Sequence, residues 1–176
     1  MPNRNIKYCR LGVEKRKLIW YNKPLSSNIR SSVRVKQAEK RHFCDPALTC
    51  ALLNVTPEKL INDLETFGFI FEALCERDIK IYAESFGAQV FHYQDYTNKE
   101  VDVVIELKDG IWCAIEIKLG ANQIDKAAEN LIELNNNTIK NGGKAPAIMC
   151  VICGLSNAAY QRADGVFVIP ITSLKN

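Results

Sequence analysis

The chain has 176 residues, 47% of them hydrophobic, which supports one sizeable core plus an extension. Its net charge is only +3, but residues 1–44 carry twelve Lys/Arg against Glu14 and Glu39, while the remainder carries eleven bases against eighteen acids. No stretch approaches the length of a transmembrane helix, no apolar N-terminal run resembles a signal peptide, and seven cysteines lack disulfide-like spacing; the expectation is a reducing, cytoplasmic compartment without membrane contact.

Residues 1–44 show weak periodicity, with one apolar knot at Leu18-Ile-Trp20-Tyr21 before Pro24 and a Ser-rich piece after it. They read as a basic linker-like arm. Two roles stay open for it, phosphate contact or packing on another module. Residues 45–176 then form the domain proper. Asp45 as N-cap and Pro46 at the first helical position predict a helix through Leu53, and Thr56-Pro57 predicts another to about Glu65. Together they make a helical N-terminal extension. A long helix is expected over Phe67–Phe86, with Phe67, Ile70, Phe71, Leu74, Cys75, Ile81 and Phe86 as its apolar stripe and Gly87 as a C-cap candidate. Glu72 lies beside that stripe, where a carboxylate is ordinarily half-solvated.

Gln89–Tyr93 reads as a strand leading to a hairpin. Val101–Leu107 and Ile111–Lys118 both alternate with period 2 and flank Lys108-Asp109-Gly110. Val101, Val103, Ile105 and Leu107 share one face, leaving Glu100, Asp102, Val104 and Glu106 on the other. In the second strand Cys113, Ile115 and Ile117 oppose Trp112, Ala114, Glu116 and Lys118. A two-residue loop turns the apolar faces of the two strands apart. A three-residue loop with Gly110 in the left-handed region keeps them together and sets Asp102 across from Glu116, so burial selects it. Facing carboxylates repel, and a divalent cation removes that penalty. Asp followed by Glu-x-Lys on the next strand supplies hard oxygen ligands for Mg²⁺, with an ammonium beside them to orient water or neutralise phosphoryl charge. The alternative is an ordinary solvated strand face.

Asn122–Leu134 is amphipathic, with Ile124, Ala127, Ala128, Leu131 and Leu134 inward. Ala147–Cys153 reads as a buried central strand, Val166–Ile169 as the last strand, and Pro170 as the start of a terminal helical turn. Cys150-x-x-Cys153 has half a zinc-site spacing, but the two positions face opposite sides of a strand. His42 and His92 belong to no recognisable nucleophilic triad.

Asp102, then Ala-Ile-Glu116-Ile-Lys118 on the next strand, preceded by a helix carrying Glu72, resembles the PD-(D/E)XK nuclease-like fold. Gly68-Phe-Ile-Phe-Glu72-Ala-Leu, Asp78-Ile-Lys-Ile-Tyr82-Ala, Glu100-Val-Asp102, Ile115-Glu-Ile-Lys-Leu-Gly120 and Gly165-Val-Phe-Val-Ile-Pro170 are similar to the uncharacterised domain C-terminal to the ATPase module of prokaryotic AAA-type ATP-binding proteins. The segment from Asn28-Ile-Arg30 to Asp45-Pro46 resembles the beginning of that domain, ending on a Lys/Arg-rich strand, and the resemblance covers roughly residues 24–175. Such chains carry an ATPase module ahead of this point. Here Gly142-Gly-Lys144-Ala145 lacks the phosphate-loop pattern, so the chain reads as a fragment or a stand-alone descendant that does not bind ATP.

The resemblance implies an α/β restriction-endonuclease-like core with a mixed sheet, in the order helix, three strands, helix, strand, short strand. It implies a nucleic-acid-binding domain, with DNA as the expected partner, and a Mg²⁺- or Mn²⁺-dependent phosphodiesterase site. Asp102 and Glu116 would be metal ligands, Lys118 the charge stabiliser or water activator and Glu72 an accessory acid, with Glu100 an alternative ligand. An ATPase module or partner protein is the other expected associate. The competing expectation is a non-catalytic DNA-binding or protein-interaction module that keeps the fold.

Overall fold

The fold is given by a computed structural model that describes residues 19–24 and 35–174. The short helices begin where the sequence places their caps. Asp45 Oδ1 accepts from Ala47 N at 2.9 Å ahead of α1 (Pro46–Leu53), and Thr56 Oγ1 accepts from Lys59 N ahead of α2 (Pro57–Asn62). Asp63, whose side chain accepts from Thr66 N, caps the long α3 (Leu64–Ser85).

The sheet is mixed and eight-stranded. Its strands are β1 (Ile19–Pro24), β2 (Lys40–Phe43), β3 (Gln89–Gln94), β4 (Glu100–Glu106), β5 (Trp112–Lys118), β6 (Ile148–Cys153), β7 (Tyr160–Gln161) and β8 (Phe167–Pro170), in the order β2-β1-β3-β4-β5-β6-β8-β7. Helix α4 (Ile124–Lys140) makes the crossover between parallel neighbours β5 and β6. Strands β4 and β5 form the expected antiparallel hairpin, and β3 pairs antiparallel with β4. The three-residue loop is present: Leu107 N donates to Ile111 O, Gly110 N donates to Leu107 O, and Gly110 has φ +81°. Val103 accordingly faces Ile115, and Ile105 faces Cys113.

Helices cover both faces. On one side α3 packs Phe71, Cys75 and Ile79 against Val103, Ile115, Ile117, Cys150 and Ile152. On the other, Ile124, Ala127, Ala128, Leu131 and Leu134 of α4 pack against Val104, Trp112, Ala114, Val151 and Val168. Cys150 and Cys153 thus enter opposite cores, as their spacing requires.

Several expectations need correction. The buried stripe of α3 is Phe71, Cys75, Ile79 and Ala83, a strict four-residue repeat, whereas Ile81 and Phe86 are 55% and 60% exposed; size misled where position decides. Helix α4 runs past Leu134 because Thr138, buried, bonds back to Leu134 O and holds the Asn-rich last turns down. Val101 leaves the Val103 face and joins Val104, because β4 is bulged. The face assigned to charges is also a packed face, with Trp112, Val104 and Ala114 beneath α4. Strand β7, only two residues long, was not foreseen.

The boundary placed at residues 44/45 is crossed by the sheet. β1 pairs antiparallel with β2 and parallel with β3, so the described part of the arm is the sheet's continuation. The expected basic arm otherwise falls on residues outside those described.

Candidate functional site

Two strands part where the charged residues lie. Opposite His92, β4 inserts two residues, Asp102 and Val103, in place of one: the pairing runs Phe91 with Val104 and then Tyr93 with Val101. The register of β4 with β5 would next bring Val101 opposite Ile117. Instead, Ile117 N donates to Asp102 Oδ2 at 2.8 Å, so a side chain takes a backbone acceptor's place in the ladder. That bond fixes Asp102 in the gap.

Alternation of β5 then places Glu116 and Lys118 at the same gap. Lys118 Nζ lies 2.7 Å from Glu116 Oε2 and 3.1 Å from Asp102 Oδ2, so one ammonium bridges the two carboxylates. Asp102 and Glu116 are buried, 6% and 2% exposed. Their protons divide unequally. Burial opposes the charge of Asp102, but the ammoniums of Lys118 and Lys40 and the Ile117 N–H outweigh it and hold its carboxyl below the usual range. Burial, and then the charge of Asp102, push Glu116 up to about 8. Lys118 is itself raised: burial disfavours its charge, and Asp102 and Glu116 more than restore it.

Glu72, from α3, reaches the same cluster through a second ammonium. Lys40 Nζ lies 2.5 Å from Glu72 Oε1, 3.1 Å from Glu100 Oε1, 3.3 Å from Glu76 Oε1 and 3.7 Å from Asp102 Oδ1. Burial works against Lys40's charge, and Glu76, Asp102, Glu72 and Glu100 together raise it well above the ordinary lysine value. Burial, then Asp102, raises Glu72. His42 Nε2 sits 2.7 Å from Glu76 Oε2, off the line of a hydrogen bond, and stacks on Trp20 with ring centroids 4.8 Å apart.

The four residues expected from sequence therefore stand together: Lys118 bridges Asp102 and Glu116, and Lys40 links Asp102 to Glu72. Lys40, Glu76 and His42 were not foreseen. Glu76 carried a signal, since it follows Glu72 by one helical turn between Cys75 and Ile79; Lys40 carried none, because its place depends on a pairing between distant strands.

Two cavities open at Lys118. One, of about 690 Å³, is polar and lies between β4 and α4, lined by Glu100, Asp102, Glu116, Lys126, Asn130 and Asn137 among others. The other, of about 560 Å³, runs along α3 past Glu72 to the exposed Phe69 and Leu155.

For a divalent cation the donor chemistry fits. Asp102 and Glu116 offer hard oxygens, and Glu116 Oε1 is buried without a partner. Among the described residues, no three acidic, imidazole or thiol groups are arranged to hold one ion, so water or substrate oxygens would complete the coordination. No helix among the described residues is long and apolar enough to cross a membrane.

Residues 67–174 match the family described as a domain of unknown function, DUF4143, a span that holds Glu72, Asp102, Glu116 and Lys118 and leaves out Lys40. No curated protein and no solved structure matches the chain. The match spans more than half of the sequence, and the chain belongs to the DUF4143 family.

Proposed function

We propose that the chain is a PD-(D/E)XK nuclease-like domain that binds DNA and hydrolyses phosphodiesters with Mg²⁺ or Mn²⁺. The observation that carries this reading is the meeting of Asp102, Glu116 and Lys118 at the point where β4 and β5 part. The succession of α3, three antiparallel strands, α4 and a buried parallel β6 supports a restriction-endonuclease-like core. The resemblance to the C-terminal domain of AAA-type ATP-binding proteins makes an ATPase module or partner protein the expected associate.

Asp102 and Glu116 would hold the ion. Bound there, it supplies Lewis-acid polarisation of a phosphoryl oxygen and a more acidic water. Asp102, anchored by the Ile117 N–H, keeps its oxygens fixed and ionised. Lys118 presents an ammonium that neutralises charge building on a phosphoryl group. Glu72, which lines the α3-side cavity and is raised by burial, would give or take a proton.

A second reading has its own observation. Lys118 and Lys40 already neutralise much of the carboxylate charge, which favours a non-catalytic DNA-binding or interaction module that retains the fold. Plasmid and single-stranded DNA incubated with Mg²⁺ or Mn²⁺, wild type against Asp102→Ala, decide between them. Cleavage lost in the variant supports the nuclease. Intact DNA in every lane, with binding retained, supports the module.

A further inference from the structure

The two ammoniums of the cluster come from different parts of the chain: Lys118 from β5, within the family match, and Lys40 from the edge strand β2, outside it. They lie on different oxygens of Asp102, Lys118 on Oδ2 and Lys40 on Oδ1. Lys40 has three N–H donors and four carboxylates within 4 Å, so at least one of the four is held by charge alone. Glu116 Oε1 and His92 Nδ1 are buried without partners, on residues 2% and 3% exposed. Burial, and then the charge of Lys40, hold the His92 imidazole below its usual value.

We propose that Lys40 takes the place of a second divalent cation: its ammonium fills the side of the cluster formed by Glu72, Glu100 and Asp102 and limits the cluster to one ion, at Asp102 and Glu116. The location of that first ion rests on the nuclease reading; the role of Lys40 does not. Mg²⁺ draws carboxylate oxygens to about 2.0–2.1 Å, so the oxygens at 2.5, 3.1, 3.3 and 3.7 Å from Lys40 Nζ stand wider than a metal ion would hold them. Without Lys40, Glu72, Glu76 and Glu100 lose the ammonium they now surround while Lys118 still serves Asp102 and Glu116, and carboxylates from α3 and β4 close on a metal ion. Lys40 is thus a positioning residue, acting through Glu72, Glu100 and Asp102.

The test counts bound Mn²⁺ on the full chain at neutral pH by equilibrium dialysis with electron paramagnetic resonance, for wild type, Lys40→Ala and Lys40→Arg. Lys40→Ala should hold one ion more than wild type, and Lys40→Arg the same number as wild type. The readout is a difference, so it separates the two ideas. Wild type with no ion and Lys40→Ala with one leaves the role of Lys40 standing and removes the first ion of the nuclease reading. Equal counts in wild type and Lys40→Ala overturn the proposal. So does an extra ion in Lys40→Arg, which would assign the new site to lost packing instead of lost charge. Should Lys40→Ala unfold in metal-free buffer, recovery of its circular dichroism on Mn²⁺ titration supports the proposal, and no recovery at saturating Mn²⁺ overturns it.

Discussion

Glu116 and Asp102 share an ammonium and titrate in opposite directions, which gives each a separate signature in stability. Glu116 is raised from 4.5 to about 8, so its contribution is complete below pH 4.5 and is lost as pH rises through about 8. Asp102 is depressed below 3.8, so its contribution is present above that value and is lost in acid. Urea denaturation across pH 5–9 should show the Glu116 decline in the wild type and a flatter profile in Glu116→Gln. Lys118 distinguishes chemistry from decoration. Lys118→Ala should cut cleavage by about 10²–10³-fold with ion affinity nearly unchanged, whereas Asp102→Ala should weaken ion binding itself, as read by calorimetry with Mg²⁺ or Mn²⁺. Asp102, Glu116 and Lys118 were legible as a set because the two strands carry their charges at period 2 on either side of the Asp109-Gly110 turn, but the expected pairing of Asp102 with Glu116 is not made: the described ladder ends at Val103 and Ile115, and the bulge gives Asp102 to the Ile117 N–H. Their titration order was not legible, because it follows from a bulge and from Lys40.

At the scale of elements, Gly110 and Gly154 separate two kinds of glycine requirement. Gly110 stands at φ +81° with open space around a built Cβ, so Gly110→Ala should cost about 1 kcal/mol through the backbone alone and leave the site intact, measurable as a shifted denaturation midpoint with unchanged ion binding. At Gly154 a Cβ would meet Leu119 Cδ1 at 3.0 Å, Phe71 Cζ at 3.1 Å and Leu119 O at 3.2 Å. Leu119 follows Lys118, so Gly154→Ala should lower both stability and cleavage. Strands β3 to β6 and the four described helices were readable from caps and periodicity. The bulge at Asp102 and Val103 was not, since a two-for-one pairing leaves the alternation of the sequence itself undisturbed. Ala83 and Ile79 lost their places in the α3 stripe to the larger Ile81 and Phe86, although burial depends on the turn of the helix.

For the whole molecule, the eight-stranded sheet recasts the N-terminal region. Residues 1–18 carry six Lys/Arg and Glu14, and residues 19–24 form a strand between β2 and β3. Removing residues 1–18 therefore tests the basic arm without cutting β1. If the arm contacts phosphates, DNA binding should weaken and its log–log salt slope should fall by about 0.9 per lost contact; an unchanged slope assigns the arm to packing or linkage. Among the described residues, one edge of the sheet is β7, two residues long; the other is β2, which alternates inward Lys40 and His42 with outward Arg41 and Phe43. Short edges and an inward lysine deny a neighbouring chain a template for strand addition.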